Sequence, residues 1–286
     1  MITLVSVVVV VNGLHSRIKQ YPKVTLDTCG IGRQSLLMTT GQCLHYNMTA
    51  NIQNGRLAEP GEWPWIAYVF VQKYFLFIIP TDRPGYKITV RAVSDRRLTY
   101  KVDISIVHNK YNTDDGNKDS KYDIGLLKLI SPLPIPTITT TTTTSGGQPY
   151  RPLKVNGICL PDKDIVNTED ELALNAGYGY IDEGVVNYGP LRMNWIIIKK
   201  TINNFYDGWG NWIISYRYPP NTGSAICKGD SGGPLVQYVG DRAVLIGLTS
   251  ASSVKVHCLS DKPKSKMIFI RVSRFIDWIV DTIENN

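Results

Sequence analysis

Apolar and polar positions alternate through Tyr86, Ile88, Val90 and Ala92, and again through Leu98, Tyr100, Val102, Ile104 and Ile106, the period of strands buried on one face. Residues 235–238 and 243–248, joined through Val239-Gly240-Asp241-Arg242, predict a hairpin in the second half of the chain. A helical period is convincing only near the end, where Ile276, Ile279, Val280 and Ile283 share one face. Many short strands and little helix predict an all-β fold built from barrels. Between the two halves, Pro132-Leu133-Pro134-Ile135-Pro136 leads into a threonine run at 139–144 and Ser145-Gly146-Gly147. That low-complexity stretch reads as an exposed, passive connection.

Residues 2–11 form an apolar run too short to span a bilayer and suited to the core of a signal peptide, although no basic residue precedes it. Cleavage near Gly13 or Ser16 is expected, which gives residues 1–16 as leader and 17–51 as a pro-segment. Asn47-Met48-Thr49 is an N-glycosylation sequon within that segment. Five cysteines in a secreted chain imply disulfides with one thiol left over, and spacing does not fix the connectivity. The net charge of +7 is spread along 286 residues apart from Lys262, Lys264 and Lys266 and the pair Arg96 and Arg97. A solvated basic face is the simplest reading of it. There is no nucleic-acid motif, no metal-ligand spacing and no sign of a cofactor.

The strongest chemical signal is Cys227-Lys228-Gly229-Asp230-Ser231-Gly232-Gly233-Pro234-Leu235. Three glycines let the backbone turn sharply about Ser231, exposing its hydroxyl and converging neighbouring N–H groups on one point. The same residues satisfy Gly-x-Ser-x-Gly, the nucleophile elbow of another fold, but that elbow needs a helix directly after the serine. Pro234 and the strand-like residues 235–238 argue against one.

With Tyr122-Asp123-Ile124-Gly125-Leu126-Leu127, Gly61-Glu62-Trp63-Pro64-Trp65, Ile158-Cys159-Leu160-Pro161, Gly177-Tyr178-Gly179 and the closing 271–279 segment, the motif resembles the trypsin and chymotrypsin family of secreted serine proteases over about residues 52–286. The resemblance implies two Greek-key β-barrels of the chymotrypsin type with a C-terminal helix. The first barrel would run over about 52–130, the connection over 131–158 and the second barrel over 159–286. It also implies Ser231 as nucleophile, the N–H groups of Gly229 and Ser231 as oxyanion hole, and Asp123 as the acid that orients a histidine. Ile52, freed by cleavage, would pair with Asp230. Cys227 would bond Cys258, and Cys159 would tether the pro-segment through Cys29 or Cys43.

The sequence departs from the family in several places. The histidine and its flanking cysteine pair are missing as one block, since residues 72–80 run directly toward the next strand at Tyr86. Of four histidines, His15 and His45 precede the domain, His108 matches an outer stretch of the first barrel and His257 sits beside Cys258. Without a base, a serine hydroxyl is a weak nucleophile, and loss of the triad histidine costs on the order of 10⁶ in turnover. At the base of the specificity pocket stands Ala225 in place of an acid, and its walls align with Ser252 and Met267. Met267 either fills the pocket or packs in a shifted loop. Asn51 precedes Ile52, so the chain is expected to stay uncut or to be cut by an asparagine-specific protease.

The expected function is that of a secreted homologue without proteolytic activity, which binds protein or peptide partners, with protease inhibitors or protease-cascade components as the implied classes. The alternative is an active serine endopeptidase whose sequence lacks a segment through splicing or a gene-model error.

Overall fold

The computed structural model describes residues 7–10, 29–30, 55–59, 61–73, 86–92, 99–111, 120–133, 155–163, 170–179, 190–201, 209–218, 225–227, 229–240, 242–252 and 266–286. The threonine run, Asn47, Ile52 and Cys258 lie outside these residues.

Twelve strands and one C-terminal helix build the described part. In the first half, β1 (Val7–Val10), β3 (Ala67–Lys73), β4 (Tyr86–Ala92), β5 (Thr99–Val107) and β6 (Gly125–Leu129) form one sheet in the order β1-β6-β5-β4-β3. Its buried centre is Val90, Leu127 and Leu129, contributed by the alternating positions of β4 and β6. The alternation in β5 holds at Tyr100, Val102 and Ile106, which are partly covered, and fails at Ile104. A bulge between Val102 and Ile104 sets two residues against one on β6 and turns Ile104 outward, leaving it 38% exposed.

The second half contains β2 (Arg56–Leu57), β7 (Leu172–Gly177), β8 (Arg192–Thr201), β9 (Trp212–Arg217), β10 (Pro234–Val239), β11 (Arg242–Ser252) and β12 (Met267–Arg271). The order β8-β7-β10-β11-β12-β9 is closed by pairing of β8 with β9, giving a six-stranded barrel with β2 added outside β8. Its interior is filled by Ala173, Ile196, Ile198, Ile213, Ile226, Leu235, Ile246, Met267 and Phe269. The predicted hairpin is β10–β11, with Val239 opposite Arg242, so the turn is tighter than the four residues read from sequence. Gly240 makes this turn at a φ of +60°, a region glycine occupies without steric cost.

The helix α1 (Ile276–Glu284) buries Ile276 and Ile279, the face read from its period. They join Ile124 of the first half and Leu245, Leu248 and Ile270 of the barrel in one cluster. Ile124, which directly follows Asp123, is one apolar contact through which the two halves share a core; Trp63 and Ile66 make another, against Leu174, Met193 and Val236. The all-β, chymotrypsin-type fold is borne out, with a closed barrel in the second half and a five-stranded sheet among the described residues of the first.

Cys29 forms a disulfide with Cys159, 130 residues away, which selects Cys29 over Cys43 as the tether. Gly30 beside it donates to the Gly157 carbonyl at 2.8 Å and accepts from the Ala243 N–H at 3.0 Å, while Arg242 Nη1 donates to the Cys29 carbonyl at 3.0 Å. A β-carbon on Gly30 would lie 2.4 Å from the Ala243 carbonyl oxygen, so only glycine fits. Replacing Cys29 by serine should lower stability by about 2–4 kcal/mol, read from urea unfolding of the unreduced protein. An unchanged midpoint would mean that this tether carries no stability.

Candidate active site

Ser231 stands in a turn between residue 227 and β10, and three of its neighbouring amides hold that turn. Asp230 N–H donates to the Cys227 carbonyl at 3.0 Å, Gly233 N–H to the Asp230 carbonyl at 2.9 Å and Gly232 N–H to the Thr249 carbonyl of β11 at 2.8 Å. Gly229 and Gly232 adopt φ values of +99° and +79°, which explains two of the three glycines of the motif. Gly233 is required by space, because a β-carbon there would lie 2.8 Å from the carbonyl oxygens of Ala176 and Asp230. Ser231 itself is partly exposed. The resemblance assigns the oxyanion to the two other amides of the turn, those of Gly229 and Ser231.

The Asp230 side chain turns inward, away from the serine it precedes. Its Oδ1 accepts from Gly179 N–H and its Oδ2 from Cys227 N–H, both at 2.7 Å. The glycines of Gly177-Tyr178-Gly179 make room for it, since β-carbons at 177 and 179 would fall 2.1 and 2.5 Å from the carboxylate. Burial raises its pKa to about 6 against the opposing effect of the two backbone hydrogen bonds. Ile52, the partner expected after cleavage, lies outside the described residues.

Asp123 is 6% exposed at the entrance of β6, and its Oδ2 accepts from Ser250 Oγ at 2.7 Å. The neighbouring Tyr111 hydroxyl has its pKa raised, first by its own burial and then by the Asp123 charge. Ser250 follows Thr249, whose backbone bonds both Gly232 and Gly233. Two consecutive residues of β11 therefore connect the Asp123 carboxylate to the Ser231 turn. Asn175 of β7 braces the same place, donating through Nδ2 to Pro234 O at 3.0 Å and to Thr249 Oγ1 at 3.1 Å. Sequence reasoning missed both Ser250 and Asn175. The available signal was a polar pair, Thr249-Ser250, interrupting an apolar strand, and a buried asparagine among the apolar residues of β7.

Met267 is fully buried in the barrel interior, and its Sδ accepts from Ile226 N–H at 3.5 Å. Ala225 packs against the same cluster. Met267 lies opposite Ser252 on one side and Ser215 on the other, so residues 252 and 267 are cross-strand neighbours. Cys227 is disulfide-bonded, while its expected partner Cys258 lies outside the described residues.

Of the histidines, His108 falls within the described residues. Its ring stacks on Tyr122 at 5.1 Å and packs against Phe275 and Trp278 at 5.4 and 5.0 Å. Its Nδ1 accepts from the Lys110 amide at 3.2 Å. Burial, and then the Lys110 charge, lower its pKa, so the ring is neutral at pH 7. His15, His45 and His257 lie outside the described residues.

Comparison with protein-family models matches residues 85–279, more than half of the 286, to Trypsin. The chain belongs to the trypsin family. The match includes Asp123, the Ser231 turn, Met267 and the first turn of α1, and begins just after residues 72–80, where the sequence departs from the family pattern. This trypsin-family site brings the acid and the serine turn to one strand of the second barrel and sets a buried carboxylate behind the turn.

The Asp230 carboxyl sets a pH dependence. In the folded chain it keeps its proton up to about pH 6, whereas an unfolded chain releases it near the ordinary value of 3.8. The stability supplied by this proton is complete below the ordinary value and is lost as the pH rises through about 6. Urea unfolding at stepped pH should therefore show wild type losing stability relative to D230N between about pH 4 and 6. A difference that stays flat or grows over that window would contradict the assignment.

Proposed function

We propose that this trypsin-family protein is secreted, does not hydrolyse peptides, and acts by engaging a protein or peptide partner as a decoy or regulator. The observation that carries the reading is the position of His108. The acid and serine are gathered at β11, while this imidazole is enclosed by Tyr122, Phe275 and Trp278 with Nδ1 already bonded. A triad works only when a base lies within hydrogen-bond reach of the nucleophile.

In this reading Ser231 keeps the nucleophile's place and Asp123 the orienting acid's, with no imidazole between them among the described residues. The Gly229 and Ser231 amides form a residual oxyanion hole. Met267, buried beside Ala225 and opposite Ser252, fills the space of the primary specificity pocket, and Ala225 offers no charge to a basic side chain. Ile52 and Asp230 would form the activation pair only after cleavage at Asn51. Protease inhibitors and members of protease cascades are the partner classes that fit a retained protease fold.

Secretion is supported by the Cys29–Cys159 disulfide, since such bonds persist in oxidising compartments. Among the described residues no helix is long and apolar enough to cross a membrane. The intact Asp123–Ser250 bond favours a second reading, an active endopeptidase encoded with a further histidine-bearing segment.

A fluorophosphonate probe separates the two. Labelling of Ser231 in this chain, judged against S231A, should run at least about 10³-fold slower than for trypsin. Labelling at a rate near trypsin's would overturn the proposal.

A further inference from the structure

His108 stands at the seam between the first half of the chain and the C-terminal helix. Its ring meets Tyr122 of the 3₁₀ turn Ser120–Tyr122, Phe275 at the N-cap of α1 and Trp278 in the first turn of α1. The backbone around it is bonded into one unit. His108 N–H donates to the Ile124 carbonyl at 3.0 Å, Ile124 N–H to the Tyr122 carbonyl at 2.7 Å and Tyr111 N–H to the His108 carbonyl at 2.9 Å. Ile124 directly follows Asp123, so the packing of this ring bears on the segment that presents the acid to Ser250.

The setting opposes a charge on the ring. Nδ1 accepts from the Lys110 amide at 3.2 Å, which fixes the proton of the neutral imidazole on Nε2. A second proton would have to enter at Nδ1, where it would set two donors face to face and remove that hydrogen bond. The Lys110 ammonium lies 5.6 Å from the centroid of the Tyr122 ring, so an imidazolium stacked on Tyr122 would share it with another cation. The ionisable groups on the elements packed against the ring are Lys110 and Tyr111 on its own turn, Lys121, Tyr122 and Asp123 beside β6, Arg274 before the helix, and Asp277 and Asp281 on it. Asp123 is engaged by Ser250 and Asp277 by Lys163, and of these charges Lys110 is the one that acts on the imidazole. The ring is only half-buried, so protons reach it while the fold is intact.

We propose that His108 is an acid-sensitive latch, which holds α1 against the Asp123 segment while its ring is neutral and releases that contact when the ring is protonated. In an unfolded chain this histidine takes its proton near the ordinary 6.5, whereas in the folded chain burial, and then the Lys110 charge, hold it off to lower pH. The stability it supplies is therefore complete above 6.5 and is lost as the pH falls through the folded-state value. The Asp230 carboxyl acts in the opposite sense, gaining its proton in the folded chain as the pH falls through about 6. Acid thus favours the buried support of the serine turn and weakens the contact that fixes the acid opposite it. The latch holds whether or not the site hydrolyses peptides.

Two measurements test this. In an NMR titration of the folded protein the His108 ring protons, identified by their through-space contacts to Trp278 and Tyr122, should show a midpoint below 6.5. A midpoint at or above that value would overturn the proposal. Amide exchange over residues 276–284, corrected for its intrinsic pH dependence, gives the second readout. Protection in the wild type should fall at least about fivefold more than in H108N on going from about pH 7.5 to about pH 5. Asparagine can accept the same Lys110 amide as an Asx turn but does not titrate, and Asp230 is common to both proteins. H108F, which keeps an aromatic ring and does not titrate, supplies the same comparison if H108N does not fold. An equal change in wild type and variant would overturn the latch.

Discussion

The buried carboxylate of Asp230 is the constraint on which the rest of the site depends. A carboxylate is poorly tolerated away from water unless hydrogen bonds satisfy it, and here two backbone amides from different segments do so. Cys227 N–H closes the loop on itself, while Gly179 N–H ties it to the end of β7. Those bonds dictate glycine at 177 and 179, because any β-carbon there would occupy the carboxylate's space. They also determine which way residue 231 faces, since adjacent side chains on so tight a turn diverge. The glycine pattern about Ser231 and the Gly-Tyr-Gly segment some fifty residues earlier are thus two halves of one steric solution.

From that anchor the site extends across β11. Thr249 receives and donates backbone bonds to the serine turn, and Ser250 donates to Asp123, so the two halves of the molecule are registered by one strand. Ile124, packed against Leu245, Leu248 and Ile270, provides the apolar contact beside this polar one. The arrangement can stay assembled without catalysis. Its hydrogen bonds and packing need neither a histidine nor an open specificity pocket, and a fully buried Met267 adds to the barrel core where a pocket would remove from it.

Much of this was legible in the sequence because it rests on local rules. The alternation at 86–92 and 99–107, the hairpin about Gly240 and the apolar face of 276–284 each gave an element that the structure contains. Ser231, Asp123 and Asp230 could be named because motif residues carry their own spacing. What escaped notice depends on long-range register. Ser250 and Asn175 acquire meaning only when β11 lies between β10 and β12 and beside the Asp123 strand. The bulge at Ile104 reverses a face without altering the residue pattern.

The proposed function requires an acid and a serine with no base between them. Sequencing the native transcript across codons 66–91 tests it most directly. An uninterrupted reading from Ile66 through Lys73 to Arg91, as in this chain, is expected. A transcript that inserts a histidine flanked by a cysteine pair would contradict it and make the gene product a working protease.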